Sequence, residues 1–300
     1  MTAFLQLDFA PLLAAILAGA TCGLLGSFLV LRREALLGDA ITHAVLPGIV
    51  LGFFATGARA GLPMLLGAGL AALLAAGLIT YLKRAARLEG GAATGIVFTS
   101  FFAAGLVLLE ATGARSVDLD VDCVLFGQME TLLWPQAQGL SSLFDASVLA
   151  TLPRAVFLLA GVGVAVALAV AALWKPLKLL CFDPAYAQSL GLPVGRLDML
   201  LNLALAAAAV AAFEAVGSIL VVALLVAPAA AMRLITNRYN TQILGGAALG
   251  AAVAAFGYAL SGPLPAALGS AHAVNAAGTI GVLAGLLVAG AGVAGRWRRA

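Results

Sequence analysis

The chain has 300 residues, of which 63% are hydrophobic and only 10% charged, with a mean hydropathy of +1.12. No soluble domain hides that much apolar surface, because even large domains keep a substantial charged exterior; a soluble enzyme or a large extramembrane domain is excluded. The net charge of +3 and the pI near 9.0 do not indicate nucleic-acid binding, because the basic residues are scattered at the ends of apolar runs, where they report topology.

Breaks in hydropathy predict spans near 9–31, 35–57, 62–82, 92–112, 154–174, 198–213, 217–233, 241–260 and 272–293. The expected fold is an all-α polytopic membrane protein of eight to nine transmembrane helices, forming a single transmembrane domain over 1–300. The N-terminus lacks the basic region of a signal peptide, and Thr21-Cys22 is a poor lipoprotein cleavage site, so the first span is read as retained. Cys22, Cys123 and Cys181 fall in different segments without a CxxC spacing, and they carry no disulfide or zinc-finger signal.

If nine spans alternate, Arg32, Arg33, Lys83, Arg84, Arg87, Lys175, Lys178, Arg196, Arg233, Arg238, Arg296, Arg298 and Arg299 share one side. Only Arg59, Arg115 and Arg154 fall on the other. The positive-inside rule then puts the C-terminus in the cytoplasm and the N-terminus outside. The longest loop, 113–153, lies outside and carries Asp118, Asp120 and Asp122. These acids either attract cations and hold a docking protein, or simply keep the loop soluble. Residues 197–233 read as a hairpin turning near 214–218, with arms of about 16 residues, or roughly 24 Å. That is short of the ~30 Å hydrocarbon core, so eight spans with one broken helix is the alternative count. The 35 glycines suit close helix packing in lipid, and no internal repeat stands out.

The second predicted span contains Gly38-Asp39-Ala40-Ile41-Thr42-His43, followed by Pro47-Gly48. A carboxylate and an imidazole four residues apart share one helix face. Ionisable groups inside a span are costly and mark ion or substrate paths, and this pair is half of a divalent-metal site. With the cytoplasmic boundary near Arg33, Asp39 lies roughly 9 Å and His43 roughly 15 Å along the helix, which puts His43 near the bilayer midplane. Pro47 predicts a kink just beyond the pair. Two other uses of the same residues stay open: a hydrogen bond that ties helices together, and a proton relay.

The cytoplasmic segment Phe182-Asp183-Pro184-Ala185-Tyr186-Ala187-Gln188-Ser189-Leu190-Gly191-Leu192-Pro193 carries its own punctuation. Asp183 is a good N-cap, Pro184 suits the first helical position and Gly191 the C′ position. They predict a helix of about two turns with Phe182, Tyr186 and Leu190 on one side. A helix this short is not stable alone. It docks either on a partner or on the membrane surface and the protein's own loops.

Four blocks recur in a known order: Gly26-Ser27-Phe28-Leu29-Val30-Leu31-Arg32-Arg33 through Gly52-Phe53; Val117-Asp118-Leu119-Asp120 with Leu125-Phe126-Gly127; Phe182-Asp183-Pro184 with Leu190-Gly191; and Val216-Gly217-Ser218-Ile219-Leu220-Val221 to Pro228-Ala229-Ala230. Together they cover nearly the whole chain, and it resembles the membrane permease subunit of the bacterial manganese, zinc and iron ABC importers. The extended loop 128–153 looks like the branch often linked to manganese. The resemblance implies a type II importer-like permease in the bacterial plasma (inner) membrane, paired with a second copy or a paralogue above two cytosolic ATPases. An extracytoplasmic metal-binding protein would deliver a divalent ion as substrate. It further implies that Asp39 and His43 form the intramembrane metal site. The 182–192 helix would be the coupling helix, with Phe182, Asp183, Pro184, Tyr186, Ala187, Leu190 and Gly191 as its contact and capping residues. Ala187 and Gly191 fit an Ala-x-x-x-Gly spacing common there. Glu214 departs from the family, where a neutral or basic residue is more usual. It either helps admit a cation or snorkels to water. His272, at the start of the last span, reads as interfacial.

None of the three lysines follows a glycine, so there is no phosphate-binding loop of the Gly-Lys-Ser/Thr type; ATP belongs on a partner chain and no cofactor is expected to be bound permanently. The expected function is import of Mn²⁺ or Zn²⁺, with Fe²⁺ next, because no Cys or Met cluster faces the proposed path for Cu⁺. The rival readings are an ATP-independent proton-coupled carrier and an ABC permease for a metal chelate. An intramembrane metalloprotease is disfavoured, as His-Glu-x-x-His is absent and two histidines are too few.

Overall fold

A computed structural model of the chain describes residues 2–56, 61–111, 129–267 and 274–297. Its helices are α1 (Thr2–Leu7), α2 (Phe9–Arg32), α3 (Leu36–Thr56), α4 (Gly61–Ala85), α5 (Gly90–Ala111), α6 (Ala146–Leu149), α7 (Arg154–Ala172), α8 (Trp174–Phe182), α9 (Pro184–Ser189), α10 (Val194–Val216), α11 (Ser218–Ile235), α12 (Tyr239–Ser261), α13 (Pro263–Ala267) and α14 (Ala276–Trp297). No strand occurs among the described residues. Nine of these helices, α2 to α5, α7, α10 to α12 and α14, are long and apolar enough to cross a membrane. The chain is an all-α polytopic membrane protein.

The predicted arms of 198–213 and 217–233 are too short. α10 has 23 residues, or about 35 Å, and α11 has 18, or about 27 Å. Both therefore reach across the core or fall short by an amount that a bilayer absorbs. The error came from taking Arg196 as the helix boundary. Charge marks where the apolar solvent ends, whereas the helix continues until its backbone hydrogen bonds run out. Here it begins directly after Pro193, whose carbonyl accepts from Arg196 and Leu197. Glu214 accordingly lies inside α10 and not in a turn. The break falls at Gly217, at φ 80°, a conformation that costs a side-chain-bearing residue but not glycine. A second difference is α8, which the sequence reading merged into the end of a span and a loop.

The described residues fall into two compact units. One draws on 1–27, 122–167 and 211–300, the other on 28–121 and 168–210. In the first, α2 packs on α12 at backbone contact. A methyl group on Gly19 would sit 2.3 Å from the Gly250 carbonyl oxygen, and one on Gly23 would sit 2.2 Å from that of Gly246. Such approaches replace the hydrophobic drive that lipid cannot supply between helices. Ser27 Oγ adds hydrogen bonds to the carbonyls of Gly23 and Gln242, and the Gln242 amide donates to Ala229 in α11 at 2.8 Å. The 129–153 segment of this unit folds around Trp134, which is fully buried. Its indole N–H donates to the Thr151 hydroxyl at 3.0 Å, and Gln6 of α1 donates to the Ala137 carbonyl at 2.8 Å.

In the second unit α3 packs against both α4 and α5. Gly48 meets Gly67 of α4 so closely that a methyl group would lie 2.1 Å from the Gly67 oxygen. Gly105 of α5 leaves room for Leu46 and Pro47. The turn from α2 to α3 is a Schellman closure: Glu34 N–H donates to Leu29 at 2.9 Å and Arg33 N–H to Val30 at 3.2 Å, with Arg33 at φ 60° in the position usually given to glycine.

Candidate functional site

Asp39 and His43 occupy the first two turns of α3, as the i, i+4 spacing predicts, with Nε2 of His43 3.3 Å from Oδ1 of Asp39. Both side chains keep part of their surface open, 24% for His43 and 39% for Asp39, on a helix whose neighbouring residues Ala40, Ile41, Thr42 and Ala44 are buried. The Thr42 hydroxyl turns back to the Asp39 carbonyl at 2.8 Å and so does not compete for the carboxylate. Pro47 supplies no N–H to the carbonyl four residues earlier, which is that of His43. The His43 carbonyl, on the same residue as the imidazole, thus lacks its usual i+4 helical donor.

The imidazole is held by two rings absent from the sequence reading. Phe98 and Phe102 of α5 meet it in T-shaped contacts with centroids at 5.3 and 5.6 Å, and they stack on each other at 6.1 Å. Each such contact contributes about 0.5–1.5 kcal/mol beyond simple burial. The signal available was the i, i+4 spacing of Phe98 and Phe102, but nothing local says which helix they face.

The donor separation suits a divalent ion. Metal bonds of about 2.1 Å set two donors about 3.0 Å apart at a right angle and about 3.4 Å apart at the tetrahedral angle. The observed 3.3 Å lies between these. Among the described residues no third His, Cys, Asp or Glu completes a ligand group. Glu214 stands exposed near the end of α10, in the other unit, with Arg154 as the charge that acts on it. Asp118, Asp120, Asp122 and His272 lie outside the described residues.

The second candidate region is α9. Asp183 caps it, its carboxylate accepting from the Tyr186 N–H at 2.9 Å, and Pro184 takes the first position. Gly191, at φ 78°, ends it in a Schellman closure, with the N–H of Leu192 reaching Ala187 at 3.1 Å and that of Gly191 reaching Gln188 at 3.0 Å. The helix is shorter than 182–192, because the flanking residues are its caps. Ala187 is its buried contact point, while Phe182, Tyr186 and Leu190 remain 53%, 52% and 55% exposed. Cys181, just before it, is largely enclosed, and burial pushes its thiol up to about 12, against a smaller opposing effect of Arg32.

Known proteins share this architecture. The family model "ABC 3 transport family" matches residues 6–137 and 133–289. The manganese transport system membrane protein MntD of Bacillus subtilis is 38% identical over 243 residues, covering 81% of this chain and 79% of its own. The zinc transport system membrane protein TroD of Treponema pallidum is 36% identical over 217 residues, covering 72% and 56%. The solved structure of PsaBC from Streptococcus pneumoniae in complex with Fab superposes with a TM-score of 0.71 at 29% identity, covering 96% of this chain and 92% of that one. With the family model matched along almost its whole length, this chain belongs to the ABC 3 transport family and is a membrane permease subunit of an ABC transporter.

Proposed function

We propose that this permease imports a divalent transition-metal ion, Mn²⁺ or Zn²⁺ first and Fe²⁺ next, and that Asp39 and His43 hold the ion in transit. The observation that carries this reading is a carboxylate and an imidazole at chelating distance on one face of an apolar helix, each still partly open. The names of the relatives, one for manganese and one for zinc, point to the same class of cargo. An ion shedding its water in a membrane needs replacement oxygen and nitrogen ligands. His43 must be neutral to ligate, and an arriving cation favours that state by claiming the Nε2 lone pair. Two ligands leave the shell open, which suits a site that must release.

On this reading an extracytoplasmic binding protein delivers the ion and two cytosolic ATPases supply the energy, because the chain has no phosphate-binding loop of its own. The exposed side of α9 is the ATPase contact. Ala187 anchors the helix to its own chain and leaves Phe182, Tyr186 and Leu190 to fill a partner's groove. The C-terminus is cytoplasmic, and Glu214 and the 118–122 acids lie towards the outer face, where they raise the local cation concentration.

Cells carrying Asp39→Ala or His43→Ala should lose metal accumulation by at least about 100-fold, more than the 10- to 100-fold typical of losing a mere supporting residue. Immunoblots of the membrane fraction should show unchanged protein. Normal uptake by either variant removes the site.

A further inference from the structure

At the junction of α2 and α3 the second unit gathers four charges from four places in the chain. Arg32, on the last turn of α2, pairs with Asp198 on the first turns of α10 and meets Glu34 Oε2 at 2.9 Å. Glu34, in the turn, also pairs with Lys83 at the end of α4. The side chains are only 10% (Arg32), 13% (Asp198), 18% (Glu34) and 25% (Lys83) exposed. Two cations balance two carboxylates, so the group has no net charge with which to attract an ion of its own. Its value lies in what it connects.

On one side Glu34 stands two residues before α3 and five before Asp39. The Schellman closure at Arg33 fixes it there. On the other side a cavity of ≈ 360 Å³ separates the cluster from the α9 region, lined by Arg32, Glu34 and Asp198 with Cys181, Pro184 and Val194. Pro184 opens α9 and Val194 opens α10. The first residue of α9 and three members of the charge cluster thus line one cavity, and Glu34 of that cluster stands two residues before the helix of Asp39 and His43. The cluster is also not saturated. Nη1 of Arg32 and Oε2 of Glu34 are both buried without a hydrogen-bond partner, although the two side chains are paired as ions. A buried guanidinium with an idle donor beside an open cavity has a second arrangement within reach, in which the fork re-pairs as the α9–α10 segment moves.

We infer that Arg32, with Glu34, Lys83 and Asp198, is an ionic joint that passes movement of the α9 segment to α3, making Arg32 and Asp198 positioning residues for transport. This rests on α9 being the ATPase contact and on Asp39 and His43 being the transit site. The joint also explains why a costly group of buried charges is placed here, since buried ion pairs seldom add stability over apolar packing but do specify arrangement.

The test uses the full permease with its ATPase and binding protein in proteoliposomes, with Mn²⁺ uptake and ATP hydrolysis measured on the same vesicles. Arg32→Gln and Asp198→Asn should still co-purify with the ATPase and keep at least half the hydrolysis rate. Their uptake per ATP should fall at least ten-fold. The exchange of Arg32→Asp with Asp198→Arg should recover at least a third of the wild-type ratio. Uptake and hydrolysis falling in proportion, or an unchanged ratio, overturns the joint. A second readout needs no transported metal. In a Cys22→Ala, Cys123→Ala background, alkylation of Cys181 by N-ethylmaleimide should change at least three-fold when the ATPase is trapped with vanadate. The change should vanish in Arg32→Gln. A purely structural cluster would alter the basal rate but keep the dependence on trapping, and that result also overturns the inference. If the wild type moves no Mn²⁺, Zn²⁺ or Fe²⁺ while the Cys181 response behaves as expected, the metal reading fails and the joint stands.

Discussion

Two groups of ionisable side chains lie in the same unit, and they are built in opposite ways. Asp39 and His43 come from one helix at 3.3 Å, keep open surface and have no third His, Cys, Asp or Glu completing the group among the described residues. Arg32, Glu34, Lys83 and Asp198 come from four parts of the chain, are nearly enclosed and balance one another in charge. The first leaves its two donors partly open, which is what the proposed transit site needs. The second is closed by three ion pairs, yet it leaves Arg32 Nη1 and Glu34 Oε2 buried without a hydrogen bond. Burial of charge alone does not distinguish the two; the number of elements that contribute, and the surface left open, do.

The largest expected effect separates the two groups directly. Loss of either ligand of the open pair should abolish accumulation while ATP hydrolysis by the complex persists. Loss of Arg32 should lower the uptake obtained per ATP. If both variants showed the same ratio of uptake to hydrolysis, the contrast would collapse.

Next comes the contact beyond the closed group. Tyr186→Glu with Leu190→Glu places charge on two side chains that are about half exposed. Co-purification with the ATPase should drop at least about 10-fold, an effect of the size expected for losing central interface anchors. Full retention of the ATPase would move the docking surface elsewhere and remove the load from the joint.

A smaller change sharpens the open pair. Phe98→Ala removes a ring that holds the imidazole of His43 edge-on. Apparent metal affinity should weaken about 10-fold, the low end of the cost of losing a group that orients a ligand. Unaltered affinity would show that Asp39 alone fixes His43.

The smallest effect tests the platform. Gly48→Ala drives a methyl group against the Gly67 oxygen and should cost about 1–3 kcal/mol, read as a lower melting temperature in detergent. Gly95→Ala, with nothing within 4 Å, should be neutral or gain up to about 1 kcal/mol through helix propensity. Equal melting temperatures would mean that α3 is free to shift, and the fixed spacing of the pair would lose its support.

The sequence by itself determined what depends on neighbours along the chain. Nine apolar stretches follow from composition, because a bilayer accepts only segments whose backbone satisfies itself. Asp39 with His43 follows from a four-residue spacing, and the caps of α9 from Asp183, Pro184 and Gly191, since a helix turn brings such residues together wherever the helix lies. What the tertiary structure decided was everything set by helices far apart in sequence. Arg32 and Lys83 read as topology markers and became a bonded cluster with Glu34 and Asp198; Phe98 and Phe102 carried no reading in the sequence and became the wall of His43. Even the start of α10 escaped, because Arg196 announces the edge of the apolar solvent and not the end of the helix. Local periodicity fixes which residues share a face, and only packing between helices decides what that face meets.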